Sequence, residues 1–391
     1  MSSEQLKVSI YPCIPDLAGD KLAGLTRFIA DEFKKEHGVS VEVEATADPY
    51  DLNKLRSVYL ADGKDSYDVM EVETVLLGEL VRSGHLQPLE DYFAVAEDIY
   101  ASSAVLSVSY SPHLKDHLYA VPTLQCASFL MELADVDYTP KSVLLHDIKS
   151  FDQLKDALDR ADEKSCRIIL AGDFQGEEDL KFYLDLYVDK HGKESVCDDI
   201  CGPVNGRHNS ADTVEQFRDQ KDLLMREVSE SQHVLMYAYS ESIGEALQKA
   251  AEVKRHKHTL RIIFPPLDDR NSSLIYTDAV VVNKSKFADP QRAKSIIKFV
   301  EFYTSLSFRT KFAFGRDLPQ SVMYPRYVLP ALNAFFTKTA AAEDECYQEF
   351  HTALKHSVPI PIHDIYGKWK TLQVHLKKTF GDFRVAQTVI D

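Results

Sequence analysis

The stretch LYAVPTLQCASFLMEL, Leu118 to Leu133, decides the fold. It is long, extended in character and largely apolar, and it sits where a chain built of two lobes crosses from one to the other. A crossover that only lines a cleft needs shape and hydrogen bonds. This one also carries a thiol, Cys126, which suggests that a ligand is attacked as well as held.

Upstream, strand and helix signals alternate. Leu6, Val8 and Ile10 alternate with polar residues as a half-buried strand does. Leu22, Leu25, Phe28, Ile29 and Phe33 recur at helical spacing. VSVEVEAT from Val39 reads as a second strand, 51–61 as a helix, and YDVMEV from Tyr67 as a third strand. A helix over 74–83 closes at Gly84, a suitable C-cap. This βαβαβ order predicts a parallel sheet with helices on both faces.

Downstream the pattern repeats. Helices are expected over 151–161, 179–191, 211–228 and 242–253. Strands are expected in CRIILAG from Cys166, HVLMYAY from His233 and LRIIFPP from Leu260. The stretch 195–210 reads as a loop. LIYTDAVVVN from Leu274 is a returning strand, followed by a helix over 290–305 and tail helices over 327–337, 340–356 and 365–380. No internal repeat or low-complexity segment interrupts this order.

Two α/β lobes, a returning segment and a helical tail are the anatomy of a type II periplasmic-binding-protein fold. Each lobe is expected to be a mainly parallel sheet flanked by helices, with the ligand cleft between them. The expected division is 1–125 plus 279–325 for one lobe and 126–278 plus 326–391 for the other. In open sheets of this kind ligands sit beyond the carboxyl ends of the strands.

The bulk numbers fit. The chain has 391 residues, 45% of them hydrophobic, enough for two or three domains. Sixty-one acidic against 45 basic residues give a net charge of −16, which argues against nucleic acid or an anionic membrane as partner. There is no apolar N-terminal export region and no run of about 18 apolar residues. Six cysteines, Cys13, Cys126, Cys166, Cys197, Cys201 and Cys346, are too sparse for a disulfide scaffold. The sequence as it stands reads as cytoplasmic; a secreted form trimmed of its signal would look the same.

Eight residues fall at or near strand ends: Tyr11, Tyr50, Asp68, Cys126, Tyr239, Glu241, Tyr276 and Asp278. Tyrosine faces attract a cation and carboxylates accept amino hydrogens, so the set suits a flat cationic heterocycle. Each has a plainer reading. The tyrosines can pack beneath loops. Asp68 can cap a turn, Glu241 can complement the helix start at Ser242, and Asp278 can bond backbone amides at a hinge. Cys126 can be a small buried hydrophobe. As a nucleophile it would need a nearby base, and Glu241 is the carboxylate expected opposite it.

Other signals are weaker. Cys197 and Cys201 with His208 read as a surface loop rather than a zinc site. There is no HExxH, Walker A or GxGxxG, and His85, His113, His117 and His191 are scattered. Trp369 is expected to pack on a lobe.

The ordered combination of YAVPTLQCASFL with Cys126, Tyr239-Ser240-Glu241 and Tyr276-Thr277-Asp278 resembles thiaminase I, the thiamine pyridinylases. The resemblance implies base exchange on thiamine. An organic base, amine or thiol replaces the thiazole, with no metal or organic cofactor. It implies Cys126 as nucleophile, Glu241 as base, Asp278 as acceptor of the pyrimidine amino group, and Tyr239 and Tyr276 as lining. Asp68, Tyr50 and Tyr11 match more loosely. The fold is commonly monomeric. Two other readings stand beside it. One is a thiamine or pyrimidine receptor, for which Cys126 is dispensable. The other is a pyrimidine-precursor synthase, whose cysteine-rich iron motif is missing here.

Overall fold

The computed structural model describes residues 5–12, 14–109, 117–135, 148, 150, 153, 166–170, 233–241, 243–244, 258–263, 273–320 and 324–360. Ten strands are hydrogen-bonded into one continuous sheet system. They are β1 Leu6–Ile10, β2 Val41–Ala45, β3 Val69–Glu73, β4 Ala120–Asp135, β5 Cys166–Leu170, β6 His233–Tyr239, β7 His258–Ile263, β8 Ser273–Val282, β9 Leu329–Pro330 and β10 Ser357–Pro359.

The main path runs β2-β1-β3-β8-β4-β6-β5. β1 pairs in parallel with β2 and β3, as the βαβαβ reading requires. The returning strand β8 then enters antiparallel between β3 and β4. Across the molecule β5 and β6 are parallel, while β4 is antiparallel to β6 and β7. Along the main path the sheet is therefore parallel at its two ends and antiparallel where the chain crosses and returns; off that path β7 is antiparallel to β4 and β10 parallel to β8.

β4 is the structural spine. Its first half, Ala120 to Ala127, pairs with β8. Its second half, from Ser128 onward, pairs with β6, and from Leu130 with β7. The strand passes from one set of partners to the other between Ala127 and Ser128, one residue beyond Cys126.

The helices follow from their apolar spacing. In the helix Ala23–His37, Leu25, Ile29 and Phe33 fall four apart and are buried, and three basic residues fill its last turn. It stops at Gly38, whose φ of 70° lets its N–H return to the Lys34 carbonyl at 2.8 Å. Phe33 packs against Phe299 and Phe302, at ring separations of 5.1 and 5.4 Å. These two lie on the helix Pro290–Thr304, which begins on the side-chain cap of Asp289 with proline in its first turn.

Several expected elements differ. The helix expected over 51–61 is a single α-turn, Leu52–Lys54, running into a wider π-turn, Leu55–Tyr59, in which the Leu60 N–H reaches back to Leu55. The helix expected over 327–337 begins instead as strand β9, because Pro330 has no N–H to offer a helix. The helix itself is confined to Asn333–Lys338. Helices Ser102–Ser109 and Leu306–Ala313 went unread. The second is separated from its predecessor by one extended residue, Ser305, whose hydroxyl caps Phe308.

The expected helices at 151–161, 179–191, 211–228, 242–253 and 365–380 lie outside the described residues, isolated positions apart. So do Cys13, the 195–210 loop with Cys197, Cys201 and His208, and Trp369.

Candidate functional site

The site forms where β3, β8 and β4 lie side by side. In β8 and β4 successive side chains point to opposite faces. Gln125 and Thr277 point to the back, where they bond Ser103 and Ser107 of the Ser102–Ser109 helix at 2.7 and 3.2 Å. Cys126, Tyr276 and Asp278 therefore point to the front.

On that front face the register is explicit. Cys126 stands opposite Tyr276, and Leu124 opposite Asp278. Asp278 is also opposite Glu73 of β3. Directly opposed residues have Cβ atoms roughly 4.5–5.5 Å apart and diagonal ones roughly 7–8 Å. Cys126, Tyr276, Asp278 and Glu73 thus form one contiguous patch.

Cys126 does not fit the buried-hydrophobe reading. From Ala120 to Glu132 every residue is buried except this one, which is half-exposed. A cysteine side chain that reaches solvent between buried neighbours is accessible to a ligand. The Cys346 thiol is pushed up to about 12, chiefly by burial.

Glu241 approaches from β6. Ser128 pairs with Tyr239, the last residue of β6, so Glu241 lies two residues beyond the paired strand. The chain leaves the strand at Ser240, whose hydroxyl donates to the Glu241 carboxylate at 3.2 Å. Glu241 is half-buried, and its charge is felt at Asp278.

Asp278 is held well above the usual carboxylate range. Burial is the first cause, followed by the negative charges of Glu71, Glu73 and Glu241; Arg309 opposes them weakly. Three further carboxylates therefore share its surroundings. Its backbone carbonyl accepts the Thr123 hydroxyl at 3.0 Å, which fixes the strand at this point.

Tyr11 and Tyr50 meet at Glu73. Their hydroxyls touch each other, and both donate to Glu73, Tyr11 at 3.4 Å. Their rings are edge to face, 6.4 Å apart. Tyr239 is half-exposed and Tyr276 is 4% exposed.

Asp68 is placed elsewhere. It is fully buried, with a bidentate pairing to Arg292 (2.9 Å to Nη2) and a hydrogen bond from the Lys7 backbone at 2.7 Å. Its carboxylate joins β1 and β3 to the Pro290–Thr304 helix.

Glu71 and Glu73 are the carboxylates that sequence reading passed over. Both are buried in β3, at 2% and 6% exposure. Glu71 accepts the Tyr303 hydroxyl at 2.8 Å, the Tyr11 N–H at 3.2 Å and the buried Arg309 at 3.4 Å. The Arg309 guanidinium in turn lies 4.0 Å from the Tyr303 ring centre. The signal was present: Met70-Glu71-Val72-Glu73 puts two carboxylates on one face of an otherwise apolar strand.

Residues 18–305 match the family of bacterial extracellular solute-binding proteins. The chain belongs to that family. Among solved structures it is similar to Clostridium botulinum thiaminase I in complex with thiamin, at 16% identity, TM-score 0.68, covering 96% of this chain and 99% of that one. Thiaminase I from Bacillus thiaminolyticus is 20% identical, with TM-score 0.63 over 95% and 99%. A Thermotoga lettingae ABC-transporter solute-binding protein bound with α-D-tagatose is as similar, at 16% identity, TM-score 0.65 and coverage of 98% and 96%. No curated protein sequence matches the chain. Likeness at such identities carries the two-lobed fold and no more, since an enzyme and a sugar receptor share it equally. Among the described residues no side-chain cluster is arranged to hold a metal ion, and no described helix is long and apolar enough to cross a membrane.

Proposed function

We propose that this member of the solute-binding family is a thiamine-cleaving base-exchange transferase of the thiaminase I type. The observation that carries the reading is Cys126, half-buried where every other residue from Ala120 to Glu132 of the crossover strand is buried, opposite Tyr276 and diagonal to Asp278. A receptor gains nothing from a thiol there. The acidic surroundings add support. The charges of Glu71, Glu73 and Glu241 all act on Asp278, and a cation such as the thiazolium offsets charges that a neutral sugar leaves repelling.

In this reading Asp278 accepts the pyrimidine amino group, and the Tyr11–Tyr50–Glu73 cluster faces the cationic half. Glu241 takes the thiol proton as the Cys126 sulfur bonds to the pyrimidine carbon beside the one bearing the methylene. The electron pair gained by the ring forms the exocyclic double bond and expels the thiazole, whose nitrogen keeps the broken bond's electrons and becomes neutral. A pyridine-type base then adds its lone pair to the methylene. The C–S bond breaks, the ring regains aromaticity, and the thiolate recovers its proton from Glu241. One hard displacement becomes several easier steps.

The test is incubation of the protein with thiamine and pyridine or aniline, followed by mass spectrometry for the exchanged pyrimidine adduct. Intact thiamine and no adduct, with the protein folded, overturns the reading.

A further inference from the structure

The residues proposed as nucleophile and base belong to different parts of the chain, and a short strap joins them. At one end, the turn carrying Glu241 lies against Pro325–Tyr327. Gly244 makes this contact: a Cβ built on it would stand 2.7 Å from the Pro325 carbonyl oxygen, 3.5 Å from the Tyr327 ring and 3.6 Å from the Arg326 carbonyl oxygen. Backbone atoms cannot yield as a flexible side chain does, so this approach admits only glycine. The turn itself is closed by the Ile243 N–H on the Ser240 carbonyl at 3.2 Å, with Ser240 and Ile243 fully buried.

At its other end the strap becomes β9, and β9 pairs with β4: Leu329 opposite Gln125 and Pro330 opposite Leu124. The next residue of β4 is Cys126. A few residues of chain thus run from the seat of the Glu241 turn to the neighbour of the thiol.

The strap is stiff. Arg326 is buried and forks onto Asp317 with two bonds of 2.6 Å, donates to the Phe312 carbonyl at 3.1 Å, and through its backbone N–H reaches Ala313 at 3.0 Å. Tyr327 holds a left-handed φ of 53°, uncommon for a bulky residue, and packs 5.1 Å from the Tyr347 ring.

We propose that Gly244, seated on the Pro325–Pro330 strap, is a positioning residue that sets the Glu241 carboxylate against the Cys126 thiol. This rests on the pairing of those two residues put forward above. An added methyl at position 244 pushes the turn off the strap and carries Glu241 away from the thiol while leaving β4, β8 and the ligand face as they are.

The experiment compares wild type, Glu241→Gln, Gly244→Ala and Asp317→Asn, the last loosening the Arg326 fork from the far side. Two readouts are taken: thiamine turnover against thiamine affinity, and the pH midpoint of Cys126 alkylation by iodoacetamide, followed on the peptide bearing Cys126. An ionised carboxylate beside a thiol disfavours the thiolate, so removing or displacing it moves the alkylation midpoint to lower pH. Gly244→Ala is expected to lower turnover about 10- to 100-fold, change affinity by less than about threefold, and move the midpoint in the same direction as Glu241→Gln. Asp317→Asn is expected to give the same pattern more weakly, and it carries the test if Gly244→Ala does not fold. Loss of thermal stability with an unmoved midpoint in both variants overturns the positioning role. If Glu241→Gln itself leaves the midpoint unmoved, the pairing of Cys126 with Glu241 falls, and the role of Gly244 falls with it.

Discussion

Glu73→Gln offers the sharpest test of whether the cleft reads charge. Glu73 ends β3, is 6% exposed, accepts the hydroxyls of Tyr11 and Tyr50, and faces Asp278 across the ladder. Glutamine keeps the shape and one oxygen to accept those hydroxyls, so the substitution removes charge and little else. For a ligand cation roughly 5 Å away, Coulomb's law at an effective dielectric constant of about 20 gives 332/(20 × 5), or about 3 kcal/mol. Burial and the charges of Glu71 and Glu73 raise the Asp278 pKa, which opposes full ionisation of the cluster and makes the Coulomb figure an upper bound. A loss of about 1.5–3 kcal/mol is then expected, roughly 10- to 100-fold in affinity.

The assay is calorimetric titration in a Cys126→Ser background, so that turnover does not consume the ligand, with thiamine and an uncharged analogue of the same shape. Thiamine is expected to lose its 10- to 100-fold, and the neutral analogue to lose almost nothing. The same substitution relieves repulsion between Glu73 and Asp278, so the unliganded variant is expected to melt no lower than its parent. Equal losses for both ligands would point to structural damage. No loss for either would show that the acidic wall does not recognise a cation.

Three further outcomes are expected. Cys126→Ser, at a half-exposed position with no cavity to create, is expected to leave melting and thiamine affinity nearly unchanged and to lower adduct formation by at least about a thousandfold; residual turnover near wild type would remove the covalent step. The Asp278 carboxyl has a folded-state pKa raised above its unfolded value, so the stability it contributes is fully present below about pH 3.9 and is lost as pH rises through the folded value. Asp278→Asn should therefore gain melting temperature over wild type progressively as pH rises, and a difference independent of pH would contradict this. Asp68→Ala, which takes from Arg292 its bidentate carboxylate and from the Lys7 N–H its Asp68 acceptor, is expected to cost about 3–5 kcal/mol in denaturant unfolding without changing thiamine affinity of the folded protein; a selective loss of affinity would return Asp68 to the ligand site.

The strand framework was legible because alternation and apolar runs are local properties. β1, β2, β5, β6 and β8 stand where period-two reading or apolar runs put them. Reading by residue type picked out Cys126, Tyr276 and Asp278, which stand mid-strand on one face of β4 and β8 rather than at strand ends. It failed at Asp68 for a simple reason. Side chains alternate along a strand, and Asp68 is an odd number of residues from both Glu71 and Glu73. If one residue of that strand faces the cleft, the other parity faces the helix layer, and here Asp68 took the helix and its arginine. Choosing between the parities needs to know which neighbour lies on which face. The sequence of one strand does not hold that information, and Arg292 lies far along the chain. Gly244 was illegible in the same way: its constraint is the carbonyl of Pro325, which no local pattern places beside it.

The acidic cluster bears on how a receptor scaffold and an enzyme can share one fold. Burying several carboxylates together is costly unless protons or a counter-charge relieve them. Within the protein Arg309 behind Glu71 supplies part of that relief, and burial with the neighbouring charges raises the Asp278 pKa. A cationic ligand supplies it from the front. In the proposed reaction the thiazole's positive charge is neutralised as it leaves, and the counter-charge that drew the ligand in disappears in the same step. The cleft then holds a neutral leaving group against repelling carboxylates, which favours its departure and the entry of the incoming base. A receptor for neutral sugars has no such asymmetry between its bound and released states. On the proposed reading the carboxylates of β3 matter to turnover as well as to capture, and the Cys126 thiol is what would separate an enzyme from a charge-selective receptor.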